Sequence, residues 1–356
     1  MANIRDVARL AGVSISSVSN LLNHRTHQMS AETRLRIERA MEELHYRPLS
    51  APPRQPGQPN IIGLLVPSIV NPSFSALAHE VDLSARTYRY RVLLGNSYRQ
   101  EDEERAFISD MFAHGVRGII VAASDIRQTH FVRSAEQGMM IVSYDNRFTG
   151  SMAADTRLVD SVSMDNVEAG RLAAQHLIER GCRQIIFATE ATLTLSRSNK
   201  IDGFLAALRS HQLPAYERVI EGKASSEYGD TEMFELGRSM VNRILAMTPR
   251  PDGIVAINDA LGIGLMTGLR AVGVRIPQQM SIVGIDNISL AGFAEPGLTS
   301  VMPPQAAMAQ VMVERLIRRI NDPQLPPGEF LFRRPWSAAG QSKRNGRSAP
   351  AAVLQR

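Results

Sequence analysis

The sequence is poor in the residues and runs that mark several large classes of protein. It contains a single cysteine, Cys182, among 356 residues, so neither an internal disulfide nor a multi-cysteine metal site can form. Beside Gly181 at an expected helix end, this thiol reads as inert rather than nucleophilic. No run approaches the roughly 18 apolar residues that a membrane helix needs. The N-terminus, Met-Ala-Asn-Ile-Arg-Asp, passes directly into a charged amphipathic pattern. No secretory signal is therefore expected, and the cytoplasm is the expected compartment. The eight histidines fall at no ligand-like spacing, so no metal is expected. Phosphate loops, His-Glu-x-x-His helices and Gly-x-Ser-x-Gly elbows are all missing. The stretch G-I-G-L-M-T-G at 262–268 imitates a dinucleotide fingerprint. Its spacing is G-x-G-x-x-x-G, however, and it lies within a helical pattern instead of at a strand-to-helix turn. The chain is expected to be no enzyme and to carry no cofactor.

What is present is a globular composition, 44% hydrophobic and 21% charged, long enough for two or three domains. The formal net charge is +5, but it is unevenly placed. Residues 1–60 hold eight Lys/Arg against five Asp/Glu, and residues 333–356 hold six basic residues and no acid. Basic ends on a mildly acidic body imply a polyanionic partner for the ends. The tail 341–356 is rich in Ser, Gly, Ala and Pro and is expected to be a disordered basic terminus. It has no a/d heptad, and it contains Pro350, so it cannot form a leucine zipper.

Residues 1–47 read as three short helices. Asn3 and Asp6 make a capping pattern before Val7, Ala8, Leu10 and Ala11. Gly12 supplies a tight turn, Val13 plugs it, and Ser14 caps a second helix with Val18, Leu21 and Leu22 inward. A third helix runs from the cap Ser30 to about Leu44, with Leu35, Ile37, Ala40, Met41 and Leu44 on its buried side. Two helices joined by a glycine turn and followed by a third form a helix-turn-helix plan, whose second helix enters the major groove of double-stranded DNA. Ser16, Ser17 and Asn20 then have the chemistry to read base edges. Arg5, Arg25, Arg34 and Arg54 are candidates for phosphate contacts. A twofold homodimer on a near-palindromic operator is the geometric consequence.

Residues 48–60 form a linker with prolines at 48, 52, 53, 56 and 59, which favours an extended tether over a helix. From 61 to about 340 the texture alternates between strand and helix. Strands are expected at 61–66, 91–95, 118–122 and 140–144. A second series is expected at 161–164, 184–188, 218–221, 253–257 and 281–285. Such alternation implies an α/β core of parallel sheets flanked by helices on both faces. Two series imply two lobes, with segments after Leu298 crossing back. A ligand in such a core lies at the carboxyl ends of the strands.

Residues 3–23, N-I-R-D-V-A-R-L-A-G-V-S-I-S-S-V-S-N-L-L-N, resemble the opening signature of LacI/GalR-type transcription regulators. M-S-A-E-T-R (29–34) and E-E-L-H-Y-R-P (42–48) resemble that family's next helix and its exit. The likeness continues through N-P-S-F (71–74), D-N-V-E-A-G (165–170), I-D-G-F (201–204), A-I-N-D (256–259), I-V-G-I-D-N (282–287) and P-G-L-T-S-V (296–301). It therefore spans residues 1–335. The resemblance implies a repressor with a periplasmic-binding-protein-like core, controlled by a small polar, sugar-like effector held between the lobes. It places Ile15, Ser16 and Asn20 among the base-reading positions. For the effector it implies Phe74 as an aromatic wall, with Asp145, Asn146, Arg197, Lys200, Asn258 and Asp286 as polar partners. Phe293 is read either as an apolar wall or as core. The proline-rich linker departs from the pattern, because many relatives fold a hinge helix there that wedges a leucine into the minor groove. A solute carrier is the alternative reading, against which the helix-turn-helix and the missing signal peptide count.

Overall fold

The computed structural model describes residues 4–14, 17–18, 21, 29–44, 60–122, 129–145, 159–191, 194–215, 218–223, 231–332 and 338–339. The proline-rich linker up to Pro59 and the tail 341–356 lie outside the described residues. The chain divides into two compact units, Met1–Pro56 and Gly57–Arg356.

In the first unit, helix α1 (Ile4–Ala11) buries Val7, Ala8 and Ala11. It ends at Gly12 with φ +62, and Val13 N donates to Ala8 O at 3.0 Å, a left-handed helix stop that glycine accommodates without a Cβ clash. Ser14 Oγ accepts the Ser17 amide at 3.1 Å, capping a helical segment that holds Val18. Helix α2 (Ala31–Glu43) is capped the same way, Ser30 Oγ accepting from Thr33 N at 3.1 Å. Val7, Val18, Ile37 and Ala40 form the core of this unit. Two expected core residues are not in it. Leu10 is 46% exposed and Leu35 48% exposed, because a bundle this small covers only a narrow stripe on each helix.

The second unit contains two six-stranded sheets. The first has the order β11-β5-β4-β3-β1-β2, where β1 is Ile61–Val66, β2 Arg91–Asn96, β3 Gly118–Ala122, β4 Met140–Tyr144, β5 Asp160–Met164 and β11 Glu329–Phe332. Every pairing in it is parallel. The second has the order β12-β10-β9-β8-β6-β7, with β6 Ile185–Glu190, β7 Val219–Gly222, β8 Gly253–Ala256, β9 Ser281–Ile285, β10 Thr299–Val301 and β12 Ala338–Ala339. Only the short β10–β12 pair in it is antiparallel. Helices α3 (Pro72–Thr87), α4 (Glu101–Ala113), α5 (Thr129–Glu136) and α11 (Gln305–Asn321) belong to the first lobe. The second lobe carries α6 (Asn166–Glu179), α7 (Leu195–Ser210), α8 (Thr231–Leu245), α9 (Asp259–Ala271) and the short α10 (Ser289–Phe293).

One strand changes lobe relative to the sequence reading. The segment at 161–164 was expected to open the second sheet, but it is β5 of the first, with Ser161 opposite Ser143 of β4. The chain leaves the first lobe only at Asp165, whose side chain caps α6. It returns through α11, and the strand β11 that comes after it pairs with β5. A fully buried carboxylate fixes that return. Asp160 accepts from Arg315 Nε at 2.9 Å, Arg319 Nη1 at 3.1 Å and Gly328 N at 2.8 Å. Cys182 is buried, in keeping with an inert thiol. The G-I-G-L-M-T-G stretch lies inside α9, where Gly264 packs against the α8 backbone at Phe234.

Candidate functional site

The carboxyl ends of the two sheets supply the residues of the candidate cleft. β4 ends at Tyr144, and Asp145 comes next with φ 56, a left-handed conformation that Asp tolerates better than most residues. Its Oδ1 accepts from Asn166 Nδ2 at 2.7 Å and from Ser163 Oγ at 3.1 Å. Lys200 Nζ, carried by α7 of the other lobe, lies 4.0 Å from Oδ2, and both side chains are largely buried.

The placement of Lys200 depends on two glycines. A Cβ on Gly170 would lie 1.8 Å from Lys200 O, and one on Gly203 would lie 1.8 Å from Val167 O. Helices α6 and α7 therefore cross with their backbones in contact, which only glycine permits. This is the physical content of the D-N-V-E-A-G and I-D-G-F motifs. One turn before Lys200, Arg197 forms a close ion pair with Glu190 at the end of β6. Thr194 caps that helix, its Oγ1 accepting the Arg197 amide at 3.4 Å.

On the facing side, Asn71 Oδ1 caps α3 by accepting from Ser73 N at 2.8 Å, and Pro72 occupies the first helical turn. Asn-Pro is thus a helix start in which the proline costs no hydrogen bond. Phe74 is half-buried and packs against the hydrophobic core. Gln305, at the start of α11, donates to Ser73 O at 3.3 Å and hydrogen-bonds to the Tyr144 phenol. Burial pushes the Tyr144 hydroxyl well above the usual phenol range, and the nearby Asp145 and Asp286 carboxylates add to the shift. Tyr144 therefore stays protonated and polar amid Gln305 and two aspartates drawn from both lobes.

Asp286 comes directly after β9 with φ 117 and lines a cavity of about 550 Å³ together with Ser73, Ser75, His79, Glu80 and Gln305. Among the described residues it is the one member of the expected set on that cavity wall. Asn258 caps α9, its Oδ1 accepting from Leu261 N at 2.9 Å, so one face of its amide is used locally. Phe293 is neither wall nor core: it is 84% exposed. Asn146 lies outside the described residues. The sequence reading missed Tyr144, Gln305 and Ser73. Only the position of Tyr144 one residue before a strand-end aspartate could have pointed to it.

Less of the set expected to face DNA is described. Arg5 lies in α1, while Ile15, Ser16, Asn20, Arg25 and Arg54 fall outside the described residues. Ser17 is half-buried, and its hydroxyl meets that of Ser14 at 2.9 Å, so part of its hydrogen-bonding capacity serves the helix start. Arg34 pairs with Glu38 at 2.8 Å on an exposed face of α2. Among the described residues no group of three or more His, Cys, Asp or Glu could hold a metal ion, and no helix is long and apolar enough to cross a membrane.

Residues 3–49 match the model of bacterial regulatory proteins of the lacI family, and residues 174–342 match the periplasmic binding protein-like domain. The chain is 30% identical over 329 residues to the HTH-type transcriptional repressor PurR of Vibrio atlanticus, covering 90% of this chain and 93% of that one. It is 31% identical over 318 residues to the HTH-type transcriptional regulator GalS of Salmonella typhimurium, covering 88% of each. A crystal structure of a LacI family transcriptional regulator from Enterococcus faecium with bound ribose superposes with a TM-score of 0.67 at 25% identity. That match covers 79% of this chain and 97% of the other.

Proposed function

The chain belongs to the LacI family of bacterial regulatory proteins, and on that premise we propose that it is a transcriptional repressor whose helix-turn-helix head is controlled by a neutral, polyhydroxylated effector. The carrying observation is the convergence of Asp145 and Tyr144 from one lobe with Lys200 and Asp286 from the other. A ligand gripping these groups ties the two lobes together. Both cations are already answered, Arg197 by Glu190 and Lys200 by Asp145. An anionic effector has to break a buried pair to gain a partner, whereas hydroxyls can donate to the carboxylates and leave the pairs intact. The ribose held by the Enterococcus faecium relative agrees with that chemistry.

The working form is a cytoplasmic homodimer on a near-palindromic operator. Leu83 on α3, Leu93 and Leu94 on the edge strand β2, and the neighbouring Tyr98 are all exposed, an apolar edge that a second copy would cover. Operator selection from random duplexes, then gel shift at fixed salt with ribose, ribose 5-phosphate and cellobiose, tests the reading. Sequence-independent retardation, or a response confined to the phosphorylated sugar, contradicts it.

A further inference from the structure

Asp259 opens helix α9 and is completely buried. Its Oδ2 accepts the Ile288 amide at 2.8 Å, and its Oδ1 accepts the Ser300 hydroxyl at 2.6 Å. The Ser300 oxygen accepts the Asn287 amide at 2.9 Å, and the Asp286 amide donates to Val301 O at 3.0 Å. Two successive N–H groups beyond β9, those of Asn287 and Ile288, are thus committed to the buried Asp259–Ser300 pair, and that of Asp286 to the β10 backbone. The turn they define is unusual, since Asp286 and Asn287 have φ of 117 and 52, values that non-glycine residues keep only when the surroundings over-determine them.

We propose that Asp259 is the positioning residue of the cleft: with Ser300 it clamps the Asp286–Ile288 turn in its left-handed course and so aims Asp286 at the effector. Gly284 is part of the same device. A Cβ there would lie 2.1 Å from Asp259 Oδ1, so a side chain on β9 at this point would displace the clamp. Burial and the Asp286 carboxylate raise the proton affinity of Asp259. The clamp tolerates the proton, because a carboxylic acid can accept the Ile288 amide and donate to Ser300. The role given to Asp286 rests on the effector-cleft reading; the clamp itself does not.

Hydrogen exchange on the full-length chain tests the clamp without any ligand. Asp259→Ala is expected to speed exchange in peptides covering 286–290 about tenfold or more, with the β6 strand 185–190 unchanged. Asp259→Asn is expected to stay within about threefold of the parent. Its amide oxygen takes the Ile288 N–H and its NH2 donates to Ser300, which still accepts from Asn287. Should Asp259→Ala fail to fold, Ser300→Ala carries the same test through the Asn287 amide, again with an acceleration of about tenfold. Unchanged protection at 286–290 in a folded Ala variant overturns the proposal. Equal acceleration by the Asn and Ala variants does so too. A chain that responds to no sugar contradicts the effector reading, while the exchange rates still decide the clamp.

Discussion

The ammonium nitrogen of Lys200 lies 4.0 Å from Oδ2 of Asp145, across the gap between two lobes whose sheets share no strand. Each group is mostly shielded from water, so the pair links the lobes before any ligand arrives. Removing one partner of a buried pair leaves a charge in low dielectric, which costs about 3–5 kcal/mol. Asp145 keeps its Asn166 and Ser163 donors, so Lys200→Met should cost about 3 kcal/mol at most. Adding Asp145→Asn should recover part of that loss in urea unfolding. Strictly additive losses would show that the two residues do not interact.

The contact between α6 and α7 gives a second prediction. Gly203→Ala forces a methyl onto Val167 O and should destabilise by about 3 kcal/mol or more, since backbone rather than a flexible side chain must move. Gly292→Ala, with open space around its Cβ position, should be close to neutral. Thermal unfolding of the two variants makes the comparison.

Stability should also depend on pH through Asp259. Its folded-state pKa is raised above the unfolded value, so its contribution is full below about pH 4 and declines as pH rises toward the folded pKa. Asp259→Asn cannot ionise and escapes that decline. Relative to the parent, this variant should therefore gain stability between about pH 4 and 7. A constant difference across that range, measured by denaturant midpoint, would mean that the carboxyl is not shifted upward.

For the head, Asn20→Ala should weaken binding to the selected operator by about 1–3 kcal/mol and leave binding to random duplex nearly unchanged. Fluorescence anisotropy at matched salt measures both. Equal losses on the two duplexes would remove Asn20 from the base-reading set.

Local signals were read well from the sequence. The Ser14 and Ser30 caps, the Gly12 turn and most strand spans arise from chemistry within a few residues. Sheet membership did not, because nothing inside D-S-V-S-M at 160–164 says which sheet it joins. That is settled by β11 and Arg315, some 155 residues further along. Leu10 and Leu35 show the same limit, since periodicity marks an apolar stripe but not how much of it a partner covers. The resemblance pointed to Asp145 and Asp286, which come directly after β4 and β9. Tyr144 and Gln305 meet only through the fold, and nothing near Asp259 in the sequence points to its partners Ile288 and Ser300, which lie 29 and 41 residues further along.

The buried Asp160 cluster bears on the order of events during synthesis. Translation proceeds from the N-terminus, and domains made first generally fold first. Here the first lobe waits for α11 and β11, which leave the ribosome after every strand of the second lobe except the two-residue β12. Until Arg315 and Arg319 arrive, Asp160 lacks the two arginines that hold it in the folded lobe, and the edge of β5 is without its β11 neighbour. The lobe that begins earlier is completed later, and the β5 side of its sheet gains its last strand only when β11 emerges.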